Sequence, residues 1–297
     1  KKSMTKPNKK NGFSFILLIL VALIGLFASA AWFYLKEKRP HHSPPRFLSN
    51  LASYYGYNGK INDIVDFDLK HLNHSIYLDY TGSGLYRTSQ IKAIFNQYEN
   101  TLYSNPHSLS PSSILTTELI EEARDIILKF LGTTSSSYSV IFTASATASL
   151  RLLAESFPWS STSLYLYTRD NHNSVLGIRR WATRYGAKFK MVEATDLEGK
   201  GNRTKKISSV TNHLFAFPPE ENFAGKKYPL DWITKFQTTD FPQKFARGNW
   251  YTLLDAAAFL PTNQLDLKKY PADFVICSFY KMFGFPNLGA LVVKNEV

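Results

Sequence analysis

Cysteine is almost absent from these 297 residues: Cys277 stands alone, which excludes an internal disulfide and any CxxC-type metal or redox centre. The lone thiol reads as a small buried apolar residue in a strand. Acidic residues are scarce at the amino end, where the first fifty positions hold nine Lys/Arg against one Glu, so +8 of the total +12 is concentrated there. The remainder is only mildly basic and carries no nucleic-acid-binding motif, so no nucleic-acid partner is expected. Metal-ligand clusters are also lacking: His71 and His74 have no acidic companions in a matching pattern, and His41-His42 belongs to a Pro-rich linker.

Charge of either sign is missing from 13–35, a run of 23 residues dominated by Leu, Ile, Phe, Ala and Val. At about 1.5 Å per residue such a run spans a hydrocarbon core of about 30 Å. A transmembrane helix is therefore expected over 13–35, behind a basic segment 1–12 and ahead of a linker 36–50, giving a single-pass membrane protein whose orientation stays open. Trp32, Phe33 and Tyr34 suit the membrane interface, and Lys36, Lys38 and Arg39 suit the headgroups. Ala28-Ser29-Ala30 leaves a cleaved signal peptide as the alternative. A first residue Lys1 and an end close behind an apolar run suggest a fragment.

From about Tyr77 short apolar runs alternate with helical periodicity, the pattern of an α/β fold with a mainly parallel sheet. Strands are expected at 139–143, 164–168, 187–192, 213–217, 250–254 and 273–278. Helices are expected at 116–131 and 89–103, each with a core-facing apolar stripe, and the polar stretch 199–209 reads as a flexible loop.

Ligands of parallel α/β sheets sit outside the carboxyl ends of the strands, so polar residues there are the ones to inspect. Lys281 follows the strand 273–278 in Ser278-Phe279-Tyr280-Lys281-Met282-Phe283-Gly284; a desolvated lysine can form an imine with an aldehyde, whereas an isolated lysine is more often a surface residue. Asp255 closes the strand 250–254 among apolar neighbours and needs a cationic or donor partner, unless it caps a helix. Thr143-Ala144-Ser145-Ala146-Thr147 opens a helix with small residues that let an anion approach backbone N–H groups. His172 follows the strand 164–168 and could lie on a planar cofactor, or be an ordinary loop histidine.

The order and spacing of these residues resemble those of the class-V aminotransferase-like proteins that use pyridoxal 5′-phosphate (PLP), and most closely the PLP domain of molybdenum cofactor sulfurases. The resemblance runs from about Ile76 to Val293. It is carried by Tyr77-Leu78-Asp79-Tyr80-Thr81-Gly82, Asn105-Pro106-His107-Ser108, Val140-Ile141-Phe142-Thr143-Ala144, Asn222-Phe223-Ala224-Gly225, Leu254-Asp255-Ala256-Ala257 and the segment from Ser278 to Pro286. It implies a fold-type-I PLP-dependent transferase large domain over 75–297, with Lys281 as the Schiff-base lysine. It further implies Asp255 on the pyridine nitrogen, His172 stacked on the ring, Asn222 near the ring hydroxyl, and Ala146, Thr147 and Ser278 around the phosphate.

The implied activity is that of a PLP-dependent transferase or lyase on an amino acid, with cysteine desulfurase-like sulfur transfer as the sharper form and a homodimer as a possible assembly. Family members continue into a smaller C-terminal domain that supplies a substrate-binding arginine and the sulfur-accepting cysteine; this sequence holds neither. Asn287-Leu288-Gly289-Ala290 is one residue shorter than the usual family pattern at that place. A membrane-anchored, non-catalytic protein that keeps the PLP fold is the alternative from another functional class.

Overall fold

The computed structural model describes residues 60–73, 75–203 and 211–297, without the side chain of residue 62. The expected transmembrane helix 13–35, its basic flank 1–12, the linker 36–50 and positions 204–209 of the expected loop lie outside the described residues. Among the described residues no helix is long and apolar enough to cross a membrane. The chain divides into two compact units, Lys1–Asn62 with Leu72–Ile76 and Asp63–His71 with Tyr77–Val297. In the first, the Ser75 N–H closes a turn on the Leu72 carbonyl at 2.7 Å.

The second unit is built on strands β1 (Tyr138–Thr143), β2 (Leu164–Thr168), β3 (Lys188–Val192), β4 (Asn212–Phe217), β5 (Asn249–Asp255), β6 (Phe274–Ser278) and β7 (Gly289–Lys294). They form one seven-stranded sheet in the order β1-β7-β6-β5-β4-β2-β3. The run from β3 to β6 is parallel throughout, and β7 alone is reversed, antiparallel to both β6 and β1. The expected α/β class and mainly parallel sheet are what the structure has, and the six expected strands appear within one residue of their expected bounds. β7 was not among them.

The helices are α1 (Thr88–Asn100), α2 (Pro111–Phe130), α3 (Ala146–Ser156), α4 (Asn173–Leu176), α5 (Ile178–Arg184), α6 (Asp231–Thr238) and α7 (Phe279–Phe283). Both faces of the central strands are covered, which is why these strands read as continuous apolar runs. On β4, Leu214 and Ala216 meet Leu150 and Leu153 of α3 and Ile178 of α5. Phe215 and Phe217 point the other way, toward Leu128 of α2 and Ile233 and Phe236 of α6. On β6 the same alternation sends Ile276 to one cluster and Cys277 to the other.

Two expectations about helices need correction. Helix α2 begins at Pro111 rather than 116, because the Ser110 side chain accepts from the Ser113 N–H at 3.3 Å and Pro111 is preset for a first turn; apolar periodicity does not register such a polar opening. Helix α1 does not bury its stripe: Phe95 is 64 % and Tyr98 70 % exposed, as is Leu102 just beyond it at 75 %. An amphipathic pattern tells which face a helix can bury, not whether the covering surface belongs to the same chain.

Candidate functional site

The carboxyl ends of the parallel strands converge on one side of the sheet, and each delivers a polar residue there. β6 ends at Ser278, whose backbone turns directly into α7, so that Lys281 leaves the middle of that helix and lines the cavity at the strand ends. α7 stops at Gly284, whose φ of 72° suits glycine, and whose N–H donates to the Tyr280 carbonyl at 2.8 Å. The segment before α1 braces this helix from outside: the Gly84 N–H donates to the same Tyr280 carbonyl at 3.0 Å. A Cβ on Gly84 would come within 2.8 Å of the Lys281 carbonyl, and one on Gly284 within 2.2 Å of the Tyr86 nitrogen. Two glycines thus let two backbones touch beside the lysine.

β5 delivers Asp255, only 7 % exposed and hydrogen-bonded, among the described residues, by a single donor, the Ala257 N–H at 3.3 Å. Burial pushes its carboxyl above the usual range, while the Ala257 N–H, His172 and Lys281 pull the other way. Lys281 is half-buried, and desolvation lowers its ammonium's pKa against the opposing fields of Asp255 and Asp79. Its Nζ donates to Asn222 Oδ1 at 3.1 Å. Asn222 lies on the tip of the hairpin that follows β4, whose arms pair through Glu220 and Lys227.

β1 leads into α3 through Ser145, which accepts from the Ala148 N–H at 3.1 Å, while Thr143 Oγ1 donates to the Ser145 carbonyl at 2.9 Å. That cap leaves the first backbone donors of α3, at Ala146 and Thr147, to face the cavity. Gly289, the first residue of β7, is required here: a Cβ would fall 2.4 Å from the Ser145 carbonyl carbon and 2.5 Å from the Ala146 nitrogen. The short loop Asn287-Leu288 therefore closes tightly, with the Phe279 N–H donating to the Leu288 carbonyl at 2.9 Å. Beyond β2, His172 accepts from the Ser174 N–H on Nδ1 at 3.1 Å and so opens α4, and Ser174 Oγ lies 2.8 Å from Thr147 Oγ1.

All seven residues singled out in the sequence, Lys281, His172, Asp255, Asn222, Ala146, Thr147 and Ser278, line one cavity open to solvent. The wall also holds Asp170, Ser174, Glu220 and Glu221, to which the sequence reading gave no role. Ser174 could have been found from the Asn173-Ser174 step after a strand end; Glu221 gives no signal without the hairpin. Two polar atoms stand out: Ser278 Oγ and Asn171 Oδ1 are buried with no hydrogen-bond partner among the described residues. Cys277, one residue before Ser278, is sealed in the core, and burial together with Asp255 pushes its thiol up to about 12. Among the described residues no group of three His, Cys, Asp or Glu is arranged to hold a metal.

Known proteins resemble this chain in sequence and in fold. The aminotransferase class-V family model matches residues 76–297. Molybdenum cofactor sulfurase of Solanum lycopersicum is 38% identical over 281 residues, covering 84% of this chain and 34% of that protein. The Danio rerio protein of the same name is 40% identical, covering 84% and 31%, and that of Homo sapiens 39% identical, covering 82% and 28%. The chain spans about a third of the length of these relatives. Among solved structures, the apo cysteine desulfurase of Thermococcus onnurineus NA1 superimposes with a TM-score of 0.61 at 22% identity, covering 80% of this chain and 57% of that one. A C-DES mutant with glycine covalently linked to its PLP cofactor gives 0.59 at 17% identity, covering 77% and 58%. The likeness to the solved structures speaks for the fold, and the family match over most of the chain for descent: this chain belongs to the aminotransferase class-V family, whose members work with PLP.

Proposed function

We propose that the cavity binds PLP through these residues and that the chain is the cofactor-binding domain of an enzyme that takes sulfur from an amino acid, as its sulfurase relatives' name implies. The carrying observation is the half-buried Lys281 amine, held by Asn222, in the same cavity as a buried carboxylate with one weak donor. Other features fit the cofactor's remaining parts. The unpartnered Ser278 Oγ and the amino end of α3 offer donors to a phosphate. Asp255 makes no ion pair within 4 Å among the described residues, and a protonated ring nitrogen would provide one.

Bound PLP supplies the electron sink for breaking a bond at a substrate's α-carbon. The chain's own residues do the rest. Desolvation keeps the Lys281 amine closer to its neutral form, able to attack an aldehyde and, as a base, to hold a proton removed from the substrate. Asn222 orients that amine by accepting one of its hydrogens. Asp255, kept from water, would hold the protonated nitrogen of the cofactor ring, and His172, fixed by the Ser174 N–H, would form part of the wall beside that ring. Cys277 is too enclosed to receive sulfur, so the accepting thiol belongs to another part of the enzyme or to a second protein. The uncharged run 13–35 supports attachment to a membrane as part of the proposal, which partition of the full chain between buffer and lipid vesicles tests.

The cofactor is tested by adding PLP to the purified chain, recording its visible spectrum, reducing with borohydride and mapping the label by mass spectrometry. Label on Lys281, absent from Lys281→Ala, is the expected outcome. A folded protein that acquires no label would remove the PLP reading. Release of sulfide or persulfide sulfur from L-cysteine, against no release from L-alanine, tests the reaction.

A further inference from the structure

The hairpin that carries Asn222 is held in two separate ways. Its arms are tied by the Tyr228 N–H donating to the Pro219 carbonyl at 2.9 Å. Asn263 adds to this, donating to Glu220 at 2.8 Å and accepting from Lys227 Nζ at 2.6 Å. The tip has a different anchor. The side chain of Glu221, itself only 9 % exposed, folds back under the tip and accepts from the N–H groups of Phe223 at 2.7 Å, Ala224 at 2.6 Å and Lys226 at 3.2 Å. A carboxylate thus sits in a nest of backbone donors. Burial works against its charge, but the three N–H groups and Lys226 outweigh that, and its carboxyl is held below the ordinary range.

We propose that Glu221 is a positioning residue for Lys281: its carboxylate fixes the tip 222–226, and thereby the place of Asn222 Oδ1 3.1 Å from the lysine amine. Asn222 is one residue from the carboxylate and is flanked by Phe223, which is 99 % exposed; the backbone bond from the Glu221 N–H to the Lys226 carbonyl at 3.0 Å closes the base of the tip and leaves the amides of Phe223 and Ala224 to the carboxylate. The inference rests on the PLP reading of the cavity and adds to it a residue outside the expected set. A space-filling role is distinguishable from a charge-and-acceptor role. Glutamine keeps the volume of Glu221, but one of its two terminal atoms is a donor facing backbone N–H groups, so it cannot accept all three hydrogen bonds.

The test uses the full chain with added PLP and compares wild type, Glu221→Gln, Asn222→Ala and the double variant. Two readouts are taken: amide hydrogen exchange of Phe223, Ala224 and Lys226, and the PLP concentration giving half-maximal borohydride labelling of Lys281. In Glu221→Gln the three amides should exchange faster and the half-maximal concentration should rise about tenfold, the scale of one hydrogen bond to a charged group. Because Glu221 acts through Asn222, the double variant should be no worse than Asn222→Ala alone. Labelling of Glu221→Gln that matches wild type, or additive losses in the double variant, would overturn the proposal while leaving PLP binding intact. Absence of label in wild type would remove the cofactor reading and this inference together.

Discussion

The two ends of the sheet treat the same chemistry in opposite ways. Asp273, at the amino end of β6, and Asp255, at the carboxyl end of β5, are each 7 % exposed, and burial raises the carboxyl pKa of both. Asp273 is saturated: its Oδ2 accepts from the Thr252 N–H at 2.7 Å, Thr252 Oγ1 at 2.9 Å and Gln237 Nε2 at 2.8 Å. Asp255 has one donor at 3.3 Å. The difference separates a carboxylate that the fold completes by itself from one left for something bound. Unpartnered atoms follow the same division, since Ser278 Oγ and Asn171 Oδ1 both lie near the carboxyl ends, whereas His213 at the amino end uses both ring nitrogens.

The largest effect expected from this contrast is at Asp273. Asp273→Ala strands the buried Thr252 N–H, while the Gln237 amide keeps the Pro271 carbonyl and Thr252 Oγ1, and should lower unfolding free energy by about 2 kcal/mol, read from urea titration. Asp255→Asn should reverse the pattern. Stability without PLP should change by less than about 1 kcal/mol, because a strained buried charge is removed, while PLP affinity falls about 100-fold in a spectroscopic titration. Equal stability losses at the two positions would erase the distinction.

A smaller effect is expected at His213, which accepts from the Leu164 N–H on Nδ1 at 2.9 Å and faces the Arg247 carbonyl with Nε2 at 3.2 Å. Only the neutral ring protonated on Nε2 satisfies both, and burial lowers its pKa. A depressed histidine contributes stability that is present above the unfolded value, about 6.5, and is lost as pH falls through the folded value. Stability should therefore decline as pH falls from about 6.5 through the folded value, with a flatter slope in His213→Gln, read from urea titrations at successive pH values. The smallest effect belongs to α1: Phe95→Ser and Tyr98→Ser should each alter stability by less than about 0.5 kcal/mol in the isolated chain, because these rings are already mostly in water.

What could be read in the sequence follows the same physical line. β4, β5 and β6 announce themselves because strands buried on both faces must be apolar throughout, and Asp255 and Lys281 stand out by interrupting or closing such runs. β7 carries a similar apolar run, Gly289 to Val293, but its reversed direction and its place between β1 and β6 are long-range facts with no local signature. Glu221 looks like one of two adjacent surface acids until the hairpin folds its carboxylate under three amides. The stripe on α1 shows the converse limit: its apolar periodicity is real, but the expected burial is not found, with Ile91, Phe95 and Tyr98 exposed among the described residues.

The reversed strand also sets an order of events during synthesis. β1 lies at the edge of the sheet, and β7 is its pairing partner there. Although residues 138–147 leave the ribosome early, their strand has nothing to pair with, and the Ser145 cap has no Gly289 to rest against, until the chain has grown past 289–294. The amino end of α3 and the lysine-bearing helix are therefore joined late, by a single strand inserted between β1 and β6. A nascent chain halted before residue 289 would carry Lys281 but no closed cavity, so a complete site forms only once this sheet is complete.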